Sequence, residues 1–407
     1  IPQVIVGDTK YFDLIVTISA LVSGGELTSP LATTNLGPRP DTFDLKRNQL
    51  IIPAVTVDNT VYKNLIVTIG EVVSFGGETE TLSSSVFNGE VYPEPYELNV
   101  GSDLPQSVGE GIRAVLDAAV GFWGNFGPME YWIVGSDSSA TRDLETQFCD
   151  RRVERDQLKR EECNGFLQSG GGLFESYRQI TADAMKEVSP GQSVGLNGLR
   201  TTGGNAFNLF VGSLPLSFSN LKFPGHNNDE IKSSGQRTPI HEYWHNVQAA
   251  HIPARFQGIE RQEMMGPTWF VEGSAEYLAI ITLSRLLADG KLSLIDEIPY
   301  NGLKSMSGYM ERGKNDLLNN PELEVRYIKS GDLRYSIGSW AVAYLLNRAG
   351  DSDILLDIFH PYVAELGWEG AFVKTFGITS DTFYAEFDAF LLLPYDEQVK
   401  ILDPSLI

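Results

Sequence analysis

The stretch His241-Glu242-Tyr243-Trp244-His245 is the most informative part of this 407-residue chain. Residues four apart in an α-helix lie one turn above each other, so His241 and His245 project from the same face. Two imidazoles at this spacing are typical of a metal site, and Glu242 lies where a carboxylate can take a proton from a metal-bound water. The chain has only 5 histidines, so a chance match is rare. The pattern predicts a catalytic zinc (Zn2+) centre.

The residues around this motif predict that it lies on one helix. Thr238 is the expected N-cap, and Pro239 suits a first helical turn. The run from there to Ala250 contains no further Gly or Pro, and Pro253 ends it.

A catalytic zinc takes three protein ligands and keeps a fourth position for water. The stretch Trp269–Tyr277 (WFVEGSAEY) offers the third ligand, because Glu272 and Glu276 are one helical turn apart and can face one site. With the histidine motif, it resembles the W-x-x-E-G-x-A-x-Y segment of the gluzincin metallopeptidases, which include thermolysin and aminopeptidase N. The resemblance implies that Glu272 binds zinc and that Glu276 holds the free ring nitrogen of His241. The alternative for Glu276 is a solvated helix charge.

A weaker resemblance lies further along the chain. The stretch Tyr335–Leu345 (YSIGSWAVAYL) is similar to the Y-x-x-G-x-x-x-x-x-x-L helix start of the aminopeptidase N branch and its "peptidase MA-like" relatives. The resemblance implies that the Tyr335 hydroxyl donates to the oxyanion of the reaction, and Gly338 would permit close helix packing. The alternative for Tyr335 is a core aromatic residue.

The chain also departs from the family pattern. Aminopeptidases carry a Gly-x-Met-Glu-Asn segment that binds the substrate amine, whereas the equivalent place, an expected edge strand at Ala206–Gly212, has no carboxylate. An endopeptidase that binds its substrate as an added strand is therefore favoured. No third histidine fits a metzincin site. His251 is expected to be a helix C-terminal cation or cap, and His226 and His360 receive no role.

Composition limits the partners. The net charge is −22, with 53 acidic against 31 basic residues, which argues against nucleic acid or an anionic membrane as a partner. No apolar stretch reaches the length of a membrane span. The resemblance to gluzincins implies a peptide or protein substrate.

The two cysteines indicate the compartment. Cys149 and Cys163 are the only two in the chain, and a lone close pair suits a disulfide in a secreted protein. The chain begins at Ile1 rather than methionine, and we expect that an export signal has been removed. The predicted localisation is extracellular, either secreted or at the cell surface.

The N-terminal part contains a repeat. At a constant offset of 51, 14 of the first 25 positions are identical, which indicates duplication. Each copy is β-branched with a hairpin signal, so two small β-modules are predicted at 1–50 (truncated) and 51–98. A strand expected at Phe43–Ile51 precedes the second copy only. We therefore expect the first module to complete its sheet with a strand from a neighbouring copy, a route to self-association, or from an upstream segment lost in maturation.

The remainder predicts a catalytic unit. Helical periodicity at 108–123 and 173–188 and a strand at 129–134 indicate a mixed α/β lobe at 99–237, with a glycine-rich loop at 191–204. A mainly helical lobe with the zinc site follows at 238–407. The predicted fold class is thus α+β, with duplicated β-modules before a gluzincin-like unit.

Two rival functions stay open. One is an extracellular filament or surface-layer subunit with an inherited, idle zinc site, and the other is a module that binds peptides without cleaving them. Both would keep the zinc ligands, but only an enzyme needs Glu242 and an oxyanion donor. The intact histidine motif therefore favours a zinc metallopeptidase.

Overall fold

The fold is given by a computed structural model. It describes strands within residues 3–68 by their backbone, and residues 89–406 apart from nine short segments. Those segments are 169–172, 187–193, 201–205, 214–234, 254–255, 257, 295–298, 320–323 and 329–330. The chain divides into two compact units, Ile1–Ser84 and Ser85–Ile407.

Antiparallel strands form the described part of the first unit. They are β1 (Gln3–Val6), β2 (Thr9–Phe12), β3 (Leu21–Ser23), β4 (Glu26–Ser29), β5 (Phe43–Asp44), β6 (Gln49–Val57) and β7 (Thr60–Thr68). β1 pairs with β2 and β3 with β4, while β5, β6 and β7 form one sheet.

These strands do not show the two duplicated β-modules predicted from the repeat. β6 begins at Gln49 and runs through the boundary expected between residues 50 and 51. Its hairpin with β7 has 9 residues per strand, whereas the β1–β2 hairpin has 4. Similar sequences share strand propensity, but pairing depends on the neighbouring strands. Residues 13–20 and 69–88, which the predicted modules would need, lie outside the described residues.

The described strands of the second unit form one small sheet. Its strands are β8 (Glu97–Val100), β9 (Met129–Val134), β10 (Val194–Arg200) and β11 (Ala206–Ser213), in the order β10-β11-β9-β8. β8, β9 and β11 are parallel, and β10 is an antiparallel edge strand. All six residues of β9 are buried, as expected for a parallel strand covered on both faces.

Helices form most of the second unit. They are α1 (Gln106–Trp123), α2 (Ser138–Glu154), α3 (Arg160–Gln168), α4 (Leu173–Lys186), α5 (Arg237–Ala250), α6 (Gly258–Met265), α7 (Thr268–Ala288), α8 (Gly302–Asn319), α9 (Leu333–Ala349), α10 (His360–Phe376), α11 (Ser380–Leu391) and α12 (Tyr395–Gln398). Short 3-10 turns lie at Val325–Tyr327, Val399–Ile401 and Pro404–Leu406, and a π-helical turn at Leu355–Phe359.

The predicted α+β class is therefore wrong. The described part of the second unit is mainly helical, and four helices (α1–α4) lie in the segment where a mixed lobe was expected. The helix predicted at 108–123 and the strand at 129–134 are confirmed, and the helix predicted at 173–188 is described over Leu173–Lys186.

Two predictions about the sheet are wrong. The glycine-rich segment 191–204 contains strand β10 rather than only a loop, since an edge strand tolerates glycine. The segment Ala206–Gly212 lies in β11, which is paired on both sides and is not an edge strand. Strand order depends on contacts distant in sequence, which local composition does not report.

Helices α5, α7 and α9 share the main hydrophobic core. Each contributes one fully buried tryptophan, and each indole N–H has an acceptor. α7 and α9 cross so closely that a Cβ on Gly273 would overlap the backbone of Gly338, and one on Gly338 would lie 2.5 Å from the Trp269 carbonyl oxygen. The close crossing fixes the N-terminal parts of α7 and α9 next to each other.

The disulfide predicted between Cys149 and Cys163 is confirmed. It joins α2 to α3 with a Cα–Cα distance of 5.7 Å. Both cysteines belong to a second hydrophobic cluster that contains Trp132 and Phe148. Among the described residues, no helix is long and apolar enough to cross a membrane.

Candidate metal centre

Helix α5 carries the histidine motif through the interior of the second unit. It begins at Arg237, so Thr238 lies inside the first turn and is not the predicted N-cap, while Pro239 lies in that first turn as expected. Every residue from Pro239 to Ala250 is buried. A helix that is buried all round must satisfy its polar side chains internally, so the partners of its histidines are informative.

Three side-chain atoms converge at one position. The Nε2 atoms of His241 and His245 lie 3.1 Å apart. Oε2 of Glu272, from the second turn of α7, lies 3.5 Å from Nε2 of His241 and 3.3 Å from Nε2 of His245. Among the described residues, this is the group that could hold a metal ion.

The outer nitrogen of each imidazole is already engaged. Nδ1 of His241 lies 2.8 Å from Oε2 of Glu276, and Nδ1 of His245 lies 2.7 Å from Oε1 of Gln248. Both partners are oxygen acceptors, so each Nδ1 carries a hydrogen, and each Nε2 presents a lone pair when the imidazole is neutral. The two lone pairs and the Glu272 oxygen face one another, and a cation between them satisfies all three.

The spacing of these atoms suits a metal ion. Two ligand atoms at about 2.0–2.1 Å from the same tetrahedral zinc lie about 3.3 Å apart. The three separations in the protein are 3.1, 3.3 and 3.5 Å. Two imidazole nitrogens and one carboxylate oxygen also form a donor set found in catalytic zinc sites. The residues therefore fit a bound metal ion, although geometry alone does not identify the metal.

The electrostatics of the group also favour a positive charge at its centre. Burial alone would lower the pKa of His241, but its contacts with Glu272 and Glu276 outweigh burial and raise it to about 10. Burial alone would raise the pKa of Glu272, but the two imidazoles hold it well below its ordinary range. The Glu276 pKa is about 2, because the charge of Arg237 and contact with His241 outweigh burial.

Glu242 lies on α5 between the two histidines and is buried with 8% of its surface exposed. Burial raises the pKa of its carboxyl, and the charges of His241 and His245 lower it in part. Glu242 thus differs from Glu272 and Glu276, whose pKa values are lowered. A carboxyl with a raised pKa can exchange a proton more readily near neutral pH than an ordinary one.

Tyr335 lies in the first turn of α9, beside the group. Its ring centroid is 5.9 Å from that of His241, and the Arg334 guanidinium lies 4.7 Å from the Tyr335 ring centroid. Burial and the nearby charge of Glu272 raise the pKa of Tyr335 to about 12, so its hydroxyl keeps its proton at neutral pH. The residues predicted for the site, Glu242 and Tyr335 included, are thus brought together.

Four residues of the site escaped the sequence analysis. Gln248 binds His245 and also donates to Ser274 Oγ at 2.9 Å, while Arg237 and Tyr309 contact Glu276. Gln248 had a readable signal, since it follows His245 by three residues and so shares its helix face. Arg237 also had one, four residues before His241. Ser274 and Tyr309 reach the site only through helix packing, so the sequence carries no signal for them.

The other two described histidines, His251 and His360, lie away from this group. His251 ends α5, and its Nδ1 lies 2.7 Å from the Val247 carbonyl oxygen, so it caps the helix. Burial lowers its pKa, which argues against the cationic role considered for it. His360 is buried beside His251, with ring centroids 5.5 Å apart. His226 lies outside the described residues.

No protein-family model, no curated protein and no solved structure matches the chain. The resemblance to gluzincins therefore rests on the motif residues quoted above. The geometry adds that His241, His245 and Glu272 form a group able to hold a metal ion.

Proposed function

We propose that the chain is a zinc-dependent peptidase of the gluzincin type, with His241, His245 and Glu272 as the metal ligands. The observation that carries the proposal is the convergence of three ligand atoms at separations of 3.1 to 3.5 Å. A zinc ion held there would polarise a peptide carbonyl and lower the pKa of a coordinated water to about 7.

The side chains around this position have properties suited to hydrolysis. Glu242 is the general base that accepts a proton from the attacking water and passes it to the leaving amine, a role supported by its burial and raised pKa. Tyr335 keeps its hydroxyl proton at neutral pH and can donate a hydrogen bond to a developing oxyanion. A site meant only to bind a metal would need neither residue.

The substrate we propose is an extended segment of a peptide or protein, cut internally. The sequence lacks the carboxylate-bearing segment with which aminopeptidases bind a free amine. Strand β11 is paired on both sides, so an added substrate strand would need an edge such as that of β10. A disulfide and the lack of a membrane-crossing helix among the described residues are compatible with an extracellular protein, and we propose secretion.

The experiment compares the parent protein with a Glu242→Gln variant on an unfolded substrate such as casein, after reloading with zinc. We expect the parent to cleave and the variant to be inactive with equal zinc content. Glu110→Gln, which changes an acid on α1 that contacts Gln106 instead, is the matched control and should cleave like the parent.

Two results would contradict the proposal. Cleavage by the Glu242→Gln variant at the parent rate would remove the assigned mechanism. A parent protein that binds zinc but cleaves no unfolded substrate would instead favour a filament or surface-layer subunit with an idle site, or a peptide-binding module.

A further inference from the structure

Glu276 has more partners than its contact with His241 requires. Oε2 accepts from Nδ1 of His241 at 2.8 Å. Oε1 lies 3.0 Å from Nε of Arg237 and also accepts from the Tyr309 hydroxyl. The Glu276 side chain is only 7% exposed, so these contacts take place inside the protein.

Three helices supply this arrangement. Arg237 and His241 are four residues apart on α5, so they project from the same face. Glu276 comes from α7 and Tyr309 from α8. Helix α5 thus provides both His241 and the charge of Arg237, which pairs with Glu276 behind that histidine.

The contacts fix the orientation of the carboxylate. A carboxylate held by one hydrogen bond can rotate about its terminal torsion, which is broad in glutamate. Here Oε1 is held by two donors from different helices, which leaves Oε2 directed at His241. Arg237 also neutralises a carboxylate that would otherwise be a costly buried charge.

The hydrogen bonds that hold His245 differ from those that hold His241. His245 contacts the neutral amide of Gln248, whose Nε2 donates to Ser274 Oγ at 2.9 Å and to the Val271 carbonyl oxygen at 3.1 Å. That network is fixed by α5 and α7 alone and carries no charge. A structural need to fill the interior does not explain why one histidine is backed by a carboxylate, an arginine and a tyrosine.

We propose that Arg237 and Tyr309 are positioning residues for the metal ligand His241, acting through Glu276. By holding the carboxylate in one orientation, they keep the hydrogen on Nδ1 and direct Nε2 to the metal. The inference rests on the proposed metal site and adds two residues that touch neither metal nor substrate.

The test measures zinc affinity by competition with a chelator, so it does not depend on activity. Loss of an outer partner of a metal ligand weakens binding by roughly 10- to 100-fold. We expect Tyr309→Phe to weaken zinc binding about tenfold and Arg237→Gln by as much or more, with Arg237→Lys partly restoring affinity. Tyr344→Phe is the matched control, because its hydroxyl donates to Glu386 at 3.3 Å and not to Glu276.

A double variant separates positioning from a general effect on folding. If Tyr309 acts through Glu276, Tyr309→Phe should change zinc affinity less than twofold in a Glu276→Ala background. An undiminished loss in that background would overturn the proposal, and so would parent-like zinc affinity in both single variants. If Arg237→Gln does not fold, the zinc affinity of Tyr309→Phe decides the test, because that variant removes only one oxygen atom. A parent that binds no zinc would instead refute the proposed function itself.

Discussion

Two pairs of buried histidines differ in the side chains that surround them. His241 and His245 are each 6% exposed, and His251 and His360 each 4%. The first pair directs its Nε2 atoms to a common position beside Glu272, whereas the rings of the second pair are tilted against each other with centroids 5.5 Å apart. Both pairs are therefore buried and have their two rings close together, but among the described residues only the first pair has carboxylates in contact with it.

The carboxylates reverse the effect that burial has on the pKa of a histidine. Burial lowers the pKa of His360 well below its ordinary value, and neighbouring His251 lowers it further. The same burial acts on His241, but Glu272 and Glu276 raise its pKa to about 10. The nearby carboxylates that raise the His241 pKa would also attract a metal ion, so the comparison favours the first pair as the metal site.

The largest expected effect separates the two pairs directly. His241→Ala should weaken zinc binding by more than the roughly 100-fold that loss of an outer partner causes. His360→Ala should leave zinc affinity unchanged, because its ring contacts Trp244 and His251 rather than the ligand group. Chelator competition measures both. Equal losses in the two variants would remove the distinction.

The next effect concerns Tyr335, which lies beside His241. Tyr335→Phe should lower kcat by roughly 100-fold, the order expected for loss of one oxyanion donor, with zinc content and stability unchanged. Steady-state kinetics on a peptide substrate give the answer. An unchanged kcat would return Tyr335 to a packing role like that of the second histidine pair.

A third prediction concerns the close crossing of α7 and α9. Gly338→Ala should lower the free energy of unfolding by about 1–3 kcal/mol, since its Cβ would lie 2.5 Å from the Trp269 carbonyl oxygen. Gly121→Ala on α1 is the control, because no atom lies within 4 Å of its added Cβ. The control should be neutral or stabilising by about 0.5–1 kcal/mol. Urea unfolding of apo-protein distinguishes the two.

The smallest effect tests the second pair. Because the pKa of His360 is lowered on folding, the unfolded chain binds more protons below its ordinary value of about 6.5. The stability from a neutral His360 is complete above that pH and is lost as the pH falls, by about 1–2 kcal/mol between pH 7 and pH 5. His360→Phe should flatten that part of the stability profile. A profile with the parent's slope would contradict the assigned cause.

More of the candidate site than of the fold could be read from the sequence. Spacing predicted His241, Glu242 and His245 on one helix, because residues one turn apart are encoded locally. The W-x-x-E-G resemblance pointed to Glu272, which lies beside both histidines in a group able to hold a metal ion. Tyr309 could not be read, since it reaches Glu276 only after α8 packs against α7. The same limit applies to β11, which strand pairing with β9 and β10 turned from an expected edge into an interior strand.

The measurement that tests the central claim most directly is zinc content and coordination in protein stripped with chelator and reloaded. The account predicts one zinc per chain, with X-ray absorption showing two imidazole nitrogens at about 2.0–2.1 Å and a carboxylate oxygen. Stoichiometric binding should be lost in a His241→Ala, His245→Ala double variant and kept in a His251→Ala, His360→Ala double variant that folds. A parent without zinc, or zinc retained after loss of both His241 and His245, would contradict it.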